Sequence, residues 1–327
     1  MYMVTGGAGF VGSHLVRALN ERGERDILVV DDLTRGEKFK NLADCQVADY
    51  LDKRELFDAL ESERPRLRAI LHQGACTDTL ASDGRYLLEN NFAFSKRLLR
   101  YAQREQVPFV YASSASIYGK QGRFRVDPAN ERPVNAYGYS KLLFDQYVRA
   151  REEELEGTVV GLRYFNVYGP REALKGRMAS MVRHIFLQLE REGVARLFEG
   201  AEGFADGEQR RDFVHVDDVV AVNLHCAEQP ALRGIFNVGS GRSHSFNEVA
   251  RLIAARLGGG EIQYIPFPEG LEPCYQSFTE ADLSGLRAAG YTRDFLSLAE
   301  GVERCLSAWA PDLESSQARE ERVRESA

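Results

Sequence analysis

The sequence predicts an α/β fold, a doubly wound parallel sheet with a smaller C-terminal α/β lobe. Three observations carry that expectation. Short apolar runs alternate with helical patterns through the first half, the rhythm of βαβ units. A glycine-rich turn, Thr5-Gly6-Gly7-Ala8-Gly9-Phe10-Val11-Gly12, joins the first apolar run to the first helical pattern. The 327 residues are 44% hydrophobic, enough to bury a substantial core.

Taken in order, Tyr2-Met3-Val4 is the first strand, and a helix runs from the glycine turn to Arg22. The second strand, Ile27-Leu28-Val29-Val30, ends in Asp31 and Asp32. Further strands are expected at Arg68–His72, at Phe109–Ser113 behind Pro108, and at Val159–Arg163, with helices near 52–62, 85–105 and 138–154 between them. Beyond Gly169-Pro170-Arg171 the pattern is less regular, and loops rich in glycine and charge lie around 199–212 and 258–274. The expected division is a first domain over 1–168, its sheet completed by segments near 211–240, a second lobe mainly over 169–311, and a polar tail over 312–327. Ligands of such sheets sit at the carboxyl ends of the strands, which places Ser113, Ser114 and Asn166 at the site.

Bulk properties remove several classes of function. A net charge of -7 argues against a protein that works by covering nucleic acid or an anionic membrane. The five cysteines, Cys45, Cys76, Cys226, Cys274 and Cys305, contain no CxxC pair, so they read as reduced thiols rather than a disulfide framework or a zinc site. The six histidines are scattered without ligand spacing, and no metal site is expected. No apolar run is long enough to span a bilayer and no basic segment precedes an apolar one, so a soluble cytoplasmic protein is expected.

The glycine turn carries chemistry. Gly6, Gly9 and Gly12 permit a tight turn and close backbone approach to a diphosphate, while the helix N-terminus offers free amides and partial positive charge. Asp31 and Asp32 follow at the distance of about twenty residues expected for a ribose-binding carboxylate. A bound dinucleotide is the first expectation. A second constellation is Tyr137-Gly138-Tyr139-Ser140-Lys141, in which Tyr137 and Lys141 fall four apart on one helix face. An ammonium beside a phenol favours the phenolate and moves the tyrosine toward use as a base. Ser113-Ser114-Ala115-Ser116, at the end of an expected strand, offers a hydroxyl to a substrate oxygen.

With these residues in place the chain resembles the extended short-chain dehydrogenase/reductase family, a Rossmann-type fold whose members join a GxxGxxG turn, a strand-end serine or threonine and a YxxxK pair. The resemblance implies Tyr137 as acid/base, Lys141 on the nicotinamide ribose and lowering the Tyr137 pKa, and Ser114 orienting the reacting hydroxyl. It implies Asn90, Phe10, Val11, Gln73, Gly74, Ala75, Cys76 and Thr77 as further cofactor residues. His72, just before that loop, is expected to pack beneath the cofactor. Many members act on nucleotide sugars, and Arg211-Asp212-Phe213-Val214-His215 resembles the segment whose arginine meets the diphosphate, although Arg210 is an equal candidate by charge.

The segments Asn135–Lys141, Arg163–Glu172, Lys175-Gly176, Met178–Ser180 and Tyr264–Pro268 resemble more narrowly the family's ADP-heptose 6-epimerase branch, isomerases of lipopolysaccharide core synthesis. That branch implies an ADP-heptose substrate and a homo-oligomer, pentamers among them. Two epimers present their hydroxyls on opposite sides of one carbon, so a single phenol is badly placed for one of them. Lys175 is the implied second base, and Asn166, Leu174, Arg177, His184, Phe198, Glu199, Gly200, Ala201, Arg211 and Tyr275 are the implied substrate residues.

The chain departs from the branch in three places. Asp32 stands where asparagine is usual, and its charge opposes the 2′-phosphate of NADP; Lys38 and Lys53 offset it, which favours NADP and leaves NAD open. Cys274 replaces an arginine beside Tyr275, and the loop Ala201–Gln209 is longer than usual, which leaves the base open. A nucleotide-sugar 4-epimerase of the same family would use Ser114, Tyr137 and Lys141 without Lys175, whereas a dehydratase would want an acidic pair where Ala115-Ser116 stands. A non-catalytic dinucleotide sensor would not need the Ser114, Tyr137 and Lys141 set.

Overall fold

The alternation of apolar runs and helical patterns becomes strand and helix in a computed structural model that describes residues 1–120, 122–270 and 275–310. The expectations for Cys274 and for the tail 312–327 lie outside the described residues. The chain runs β1 (Tyr2–Thr5), α1 (Phe10–Glu21), β2 (Ile27–Asp31), β3 (Asp49–Asp52), α2 (Leu56–Glu63), β4 (Ala69–His72), α3 (Gly84–Leu88), α4 (Phe94–Arg104), β5 (Phe109–Ser114) and α5 (Ala136–Arg149). It continues through β6 (Val159–Tyr164), β7 (Asn166–Tyr168), α6 (Met181–Glu192), β8 (Val194–Phe198), β9 (Arg210–His215), α7 (Val216–Glu228), β10 (Arg233–Val238), β11 (Ser243–Ser245), α8 (Phe246–Leu257), β12 (Glu261–Ile265) and α9 (Ser284–Ala288). A last helix spans 298–310.

The doubly wound parallel sheet expected from the sequence has seven strands in the order β3-β2-β1-β4-β5-β6-β10, every neighbouring pair parallel. The order reverses between β1 and β4, which opens a crevice at the carboxyl ends of those two strands. Successive strand residues serve opposite faces, which is why these strands read as unbroken apolar runs. Val4, Val29 and Leu71 pack with Leu15, Leu19 and Val222 on one side, and Met3, Leu28 and Ile70 pack with Leu60, Leu98 and Phe144 on the other. Each such side chain contributes about 1.5–3 kcal/mol on burial.

The remaining strands build two small sheets, β11-β9-β7 and β12-β8. Their shared core gathers Ile185, Phe186, Leu197, Phe213 and Ile253. Within 211–240, β10 supplies the seventh strand of the main sheet, whereas β9 belongs to the three-stranded one. Among the described residues no helix is long and apolar enough to cross a membrane.

Four elements differ from the sequence reading. Strand β3 was not expected: Asp49-Tyr50-Leu51-Asp52 has two apolar residues, and as an edge strand it is only half buried, so its pattern carries little signal. The helix expected from 52 accordingly begins at Leu56. The helix expected over 85–105 is interrupted by a π turn at Glu89–Ala93, a wide turn that re-aims the side chains it carries. Helix α5 starts at Ala136, because Asn135 caps it by accepting from the Gly138 N–H, and it stops at Arg149.

Candidate active site

At the crevice, two loops meet back to back. Gly6 adopts φ +66, and a Cβ there would lie 2.7 Å from the Gly74 backbone. A Cβ on Gly12 would lie 2.1 Å from the Gly6 carbonyl oxygen. The turn therefore admits only glycine at these positions, and the space outside it is backbone surface. Gly9 begins α1 with no side-chain cap, and no acidic residue stands in the first turn. Phe10 and Val11 follow immediately. The free amides and the helix dipole face the crevice, which suits a diphosphate. The donor set and the glycine cradle thus fit a dinucleotide.

The adenosine end is built on β2. The Asp31 carboxylate is buried and accepts from the Ala8 N–H at 2.8 Å and from the Asp32 N–H at 2.6 Å, so it braces the glycine turn as well as ending the strand. Lys38 pairs with Asp31 and donates to the Asp32 carbonyl at 2.9 Å. Lys53 pairs with Asp32 at 3.1 Å and donates to Asn90 Oδ1 at 3.2 Å. Hydrogen bonds from Thr34, with Lys53 behind them, hold the Asp32 carboxyl well below the usual range. Both lysines singled out in the sequence are thus engaged by the two acids.

Asn90, expected on the cofactor, accepts from Lys53 and donates to the Tyr86 carbonyl at 2.9 Å. Its neighbour Asn91, which the sequence reading passed over, is almost fully buried; it accepts from the Cys76 N–H at 2.8 Å and donates to the Cys76 carbonyl at 3.0 Å and to Ser140 Oγ at 2.9 Å. The π turn aims it there and ties the loop Gln73–Thr77 to α5. His72 is buried, with its ring nitrogens on Thr5 Oγ1 at 2.6 Å and Ser95 Oγ at 2.7 Å, and burial pushes its pKa down to about 3, so the ring is neutral. Among the described residues no three His, Cys, Asp or Glu side chains converge to hold a metal ion.

Tyr137 is buried at the start of α5, and Ser114 closes β5 beside it. Burial raises the Tyr137 pKa, and hydrogen bonding by Ser114 pulls it down. Ser114 Oγ also contacts Ser116 Oγ at 2.9 Å. The Lys141 ammonium donates to the Ala112 carbonyl at 3.0 Å, and burial lowers its pKa to about 8. In this arrangement the Ser114 hydroxyl acts on the phenol directly, and Lys141 stands one helical turn beyond Tyr137 on α5.

Lys175 occupies the other flank. It stands on the turn Ala173–Met178, and its ammonium lies 5.2 Å from the Phe10 ring centroid, over the start of α1. Burial lowers its pKa, and the charge of Glu172 opposes the shift. Glu172 is fully buried and closes the loop, accepting from Gly169 N at 3.2 Å, Ser180 N at 2.5 Å and Ser180 Oγ at 2.8 Å. Leu174 is half buried in the same turn. Arg177 is exposed and pairs with Asp78 at 2.6 Å, bridging to the loop after β4, and His184 contacts the Arg177 carbonyl at 3.3 Å.

The nucleotide end gathers aromatic rings around one cation. Arg211 is 6% exposed, lies 4.7 Å from the Tyr275 ring centroid and 5.5 Å from that of Phe246, and among the described residues has no carboxylate within ion-pair distance. Arg210, its rival by charge, is used up on the Ser243 carbonyl at 2.7 Å and on Glu248 at 3.7 Å. A buried guanidinium without an acid suits an anionic ligand. Phe198 and Tyr275 pack with Phe267 at centroid distances of 4.6 and 5.0 Å, and Phe267 is a ring the sequence reading did not select. Glu199, Gly200 and Ala201 lead into the loop behind Phe198, where Gly200 N donates to Asp206 Oδ1 at 2.7 Å. Asn166 is exposed at the start of β7, with Thr279 Oγ1 at 3.5 Å.

Fold and crevice together define a nicotinamide-dependent enzyme of sugars: residues 2–239 match the NAD dependent epimerase/dehydratase family, and the chain belongs to it. Over 312 residues it is 53% identical to the ADP-L-glycero-D-manno-heptose-6-epimerase of Alkalilimnicola ehrlichii, covering 95% of this chain and 98% of that one. The structure of the Helicobacter pylori ADP-L-glycero-D-manno-heptose-6-epimerase matches with a TM-score of 0.82 at 32% identity, over 94% of this chain and 95% of that one. A Thermus thermophilus UDP-glucose 4-epimerase in complex with NAD matches with a TM-score of 0.78 at 29% identity, over 94% and 98% of the two chains.

Proposed function

We propose that the protein inverts C6″ of ADP-D-glycero-β-D-manno-heptose, giving the L-glycero epimer through a transient ketone at that carbon. One observation carries the reading: two proton carriers flank the crevice, Tyr137 with Ser114 on the β5 side and Lys175 over Phe10 on the β1 side. A nicotinamide, when bound, accepts a hydride from the sugar carbon and returns it. Gly6, Gly9 and Gly12 hold the diphosphate of that group, Asp31, Asp32, Lys38 and Lys53 its adenosine ribose, and Gln73–Thr77 and Lys141 its far half. Tyr137 moves the hydroxyl proton of one epimer and Lys175 that of the other. Arg211 takes the substrate diphosphate, with Phe198, Glu199, Gly200, Ala201 and Tyr275 around the nucleoside and Asn166, Leu174, Arg177 and His184 around the heptose.

The cofactor is NADP, with NAD close behind. Two acids and two lysines sum to zero around the ribose, so the 2′-phosphate meets neither strong repulsion nor strong attraction. Removing the Asp32 charge at a separation of about 6 Å changes phosphate affinity by about 1–2 kcal/mol in a half-solvated setting. Asp32→Asn should therefore raise the preference for NADP about tenfold in paired titrations. The function is tested by incubating the protein with the heptose nucleotide and following C6″ by NMR, with UDP-galactose as control. Inversion of the galactose derivative alone would assign a 4-epimerase instead. The same reading makes the protein a homo-oligomer, which light scattering on purified protein checks.

A further inference from the structure

We propose that Asp145 is a positioning residue: from one helical turn beyond Lys141 it sets the spacing of Ser114, Tyr137 and Lys141 and supplies the counter-charge for the Lys141 ammonium. The inference rests on Tyr137 and Lys141 forming the reacting pair.

Asp145 is fully buried, and its carboxylate accepts three hydrogen bonds: Oδ1 from the Tyr111 hydroxyl at 3.0 Å, and Oδ2 from Ser113 Oγ and Arg163 Nε, both at 2.9 Å. One turn earlier on α5, Lys141 donates to the Ala112 carbonyl at 3.0 Å. The helix bearing Tyr137 therefore grips three consecutive residues of β5, Tyr111, Ala112 and Ser113, immediately before Ser114. Arg163, also fully buried, extends the grip to β6, and its other arm reaches Glu131 at 2.5 Å, itself held by Arg149 at 2.6 Å.

Charge distinguishes this network from a plain brace. Asp145 and Glu131 face Arg163, Arg149 and Lys141, two negative charges against three positive, and Lys141 is the cation of the three that shares the helix face of Tyr137. The ionisable groups facing Lys141 are Tyr137 and Asp145 on its own helix, Cys76 on the loop after β4, and His72 in β4, which is neutral. Asp145 is the carboxylate among them, and its charge opposes the burial that lowers the lysine. A buried ion pair gives a fold little that well-packed apolar side chains would not, so stability alone does not explain it. A fixed carboxylate that spaces a helix from a strand while keeping a buried lysine charged does.

Three variants separate the roles. Tyr111→Phe with Ser113→Ala removes two of the gripping hydrogen bonds and keeps every charge; kcat should fall about tenfold with KM and the pH profile unchanged. Asp145→Asn, and Asp145→Asn with Arg163→Met so that the Arg163 Nε–H does not lose its charged acceptor, remove the carboxylate charge. In both, the Lys141 Nζ resonance of 15N-lysine-labelled protein should titrate at least one pH unit lower, and the alkaline limb of kcat should move with it. Folded variants in which the Lys141 titration, the pH limb and kcat all stay at parental values overturn the proposal, as does a change confined to KM. Failure of the underlying reading shows separately, as full turnover by Tyr137→Phe.

Discussion

Replacing Gly12 by alanine tests the cofactor cradle directly. The added Cβ would lie 2.1 Å from the Gly6 carbonyl oxygen, 2.7 Å from the Gly6 carbonyl carbon and 2.9 Å from the Gly7 Cα, all backbone atoms that no rotamer change can move aside. Gly74 crowds the turn behind Gly6, so any relief moves the turn away from its place against that loop. Alanine gains about 1 kcal/mol in helix propensity, whereas overpacking of this kind costs about 1–3 kcal/mol or more, so repulsion wins and the turn shifts by about 1 Å. Amides displaced that far lose charge-assisted hydrogen bonds to the diphosphate, each worth about 1.5–3 kcal/mol, which is about 10- to 100-fold in affinity. The assay is calorimetric titration with NADP and with NAD, beside thermal melts. Gly36→Ala is the control, since nothing lies within 4 Å of a Cβ there, and its stability should change by less than about 0.5 kcal/mol. A Gly12→Ala protein that binds both dinucleotides within threefold of the parent would refute the reasoning.

Other outcomes follow from the same geometry. Tyr137→Phe should lower kcat by about 10²- to 10⁴-fold while dinucleotide affinity stays within threefold, measured by NMR turnover and titration. Lys175→Met should strip activity toward one epimer far more than the other; equal, small losses with both would remove Lys175 from the reaction. Arg211→Met should weaken sugar-nucleotide binding about 10²-fold with the dinucleotide unaffected, since this guanidinium has no carboxylate to stabilise within the described residues. Acid stability should be governed by buried neutral histidines, His14 at a pKa of about 4 and His72 at about 3. Unfolded histidine takes its proton near 6.5, so stability is complete above that pH. As pH falls toward those lower values, it declines by about 1.4 kcal/mol per unit for each ring. His14→Gln should flatten the dependence of the melting temperature between pH 6.5 and 4.5, and an unchanged slope would exclude that ring.

Much of the fold is legible because buried parallel strands have to be apolar runs: β1, β2, β5 and β6 stand within a residue or two of where the sequence places them. Strand β3 is not, because an edge strand half open to water needs no such run. The residues proposed to react are legible because helix periodicity puts Tyr137 and Lys141 on one face and the strand end puts Ser114 beside them. Their supports are not. Asn91, Asp145 and Glu172 act through partners 49, 34 and 8 residues away in sequence, and no local pattern announces that a polar side chain will be buried. A buried asparagine beside a π turn is the one local cue, and it becomes visible only once the helix is known to be interrupted. Arg210 and Arg211 are indistinguishable as letters, and strand alternation alone turns one toward Ser243 and the other toward Tyr275.

The seventh strand joins the main sheet only after the chain has left it, built part of the second lobe and come back. Neither half is thus a cassette. A gene cut after residue 168 would yield a sheet with β6 left bare along one margin, its N–H and C=O groups open to pairing with other chains. Exchange of substrate preference with a relative is better sought by grafting the loops around Phe198 and Tyr275 into this frame than by splicing whole lobes.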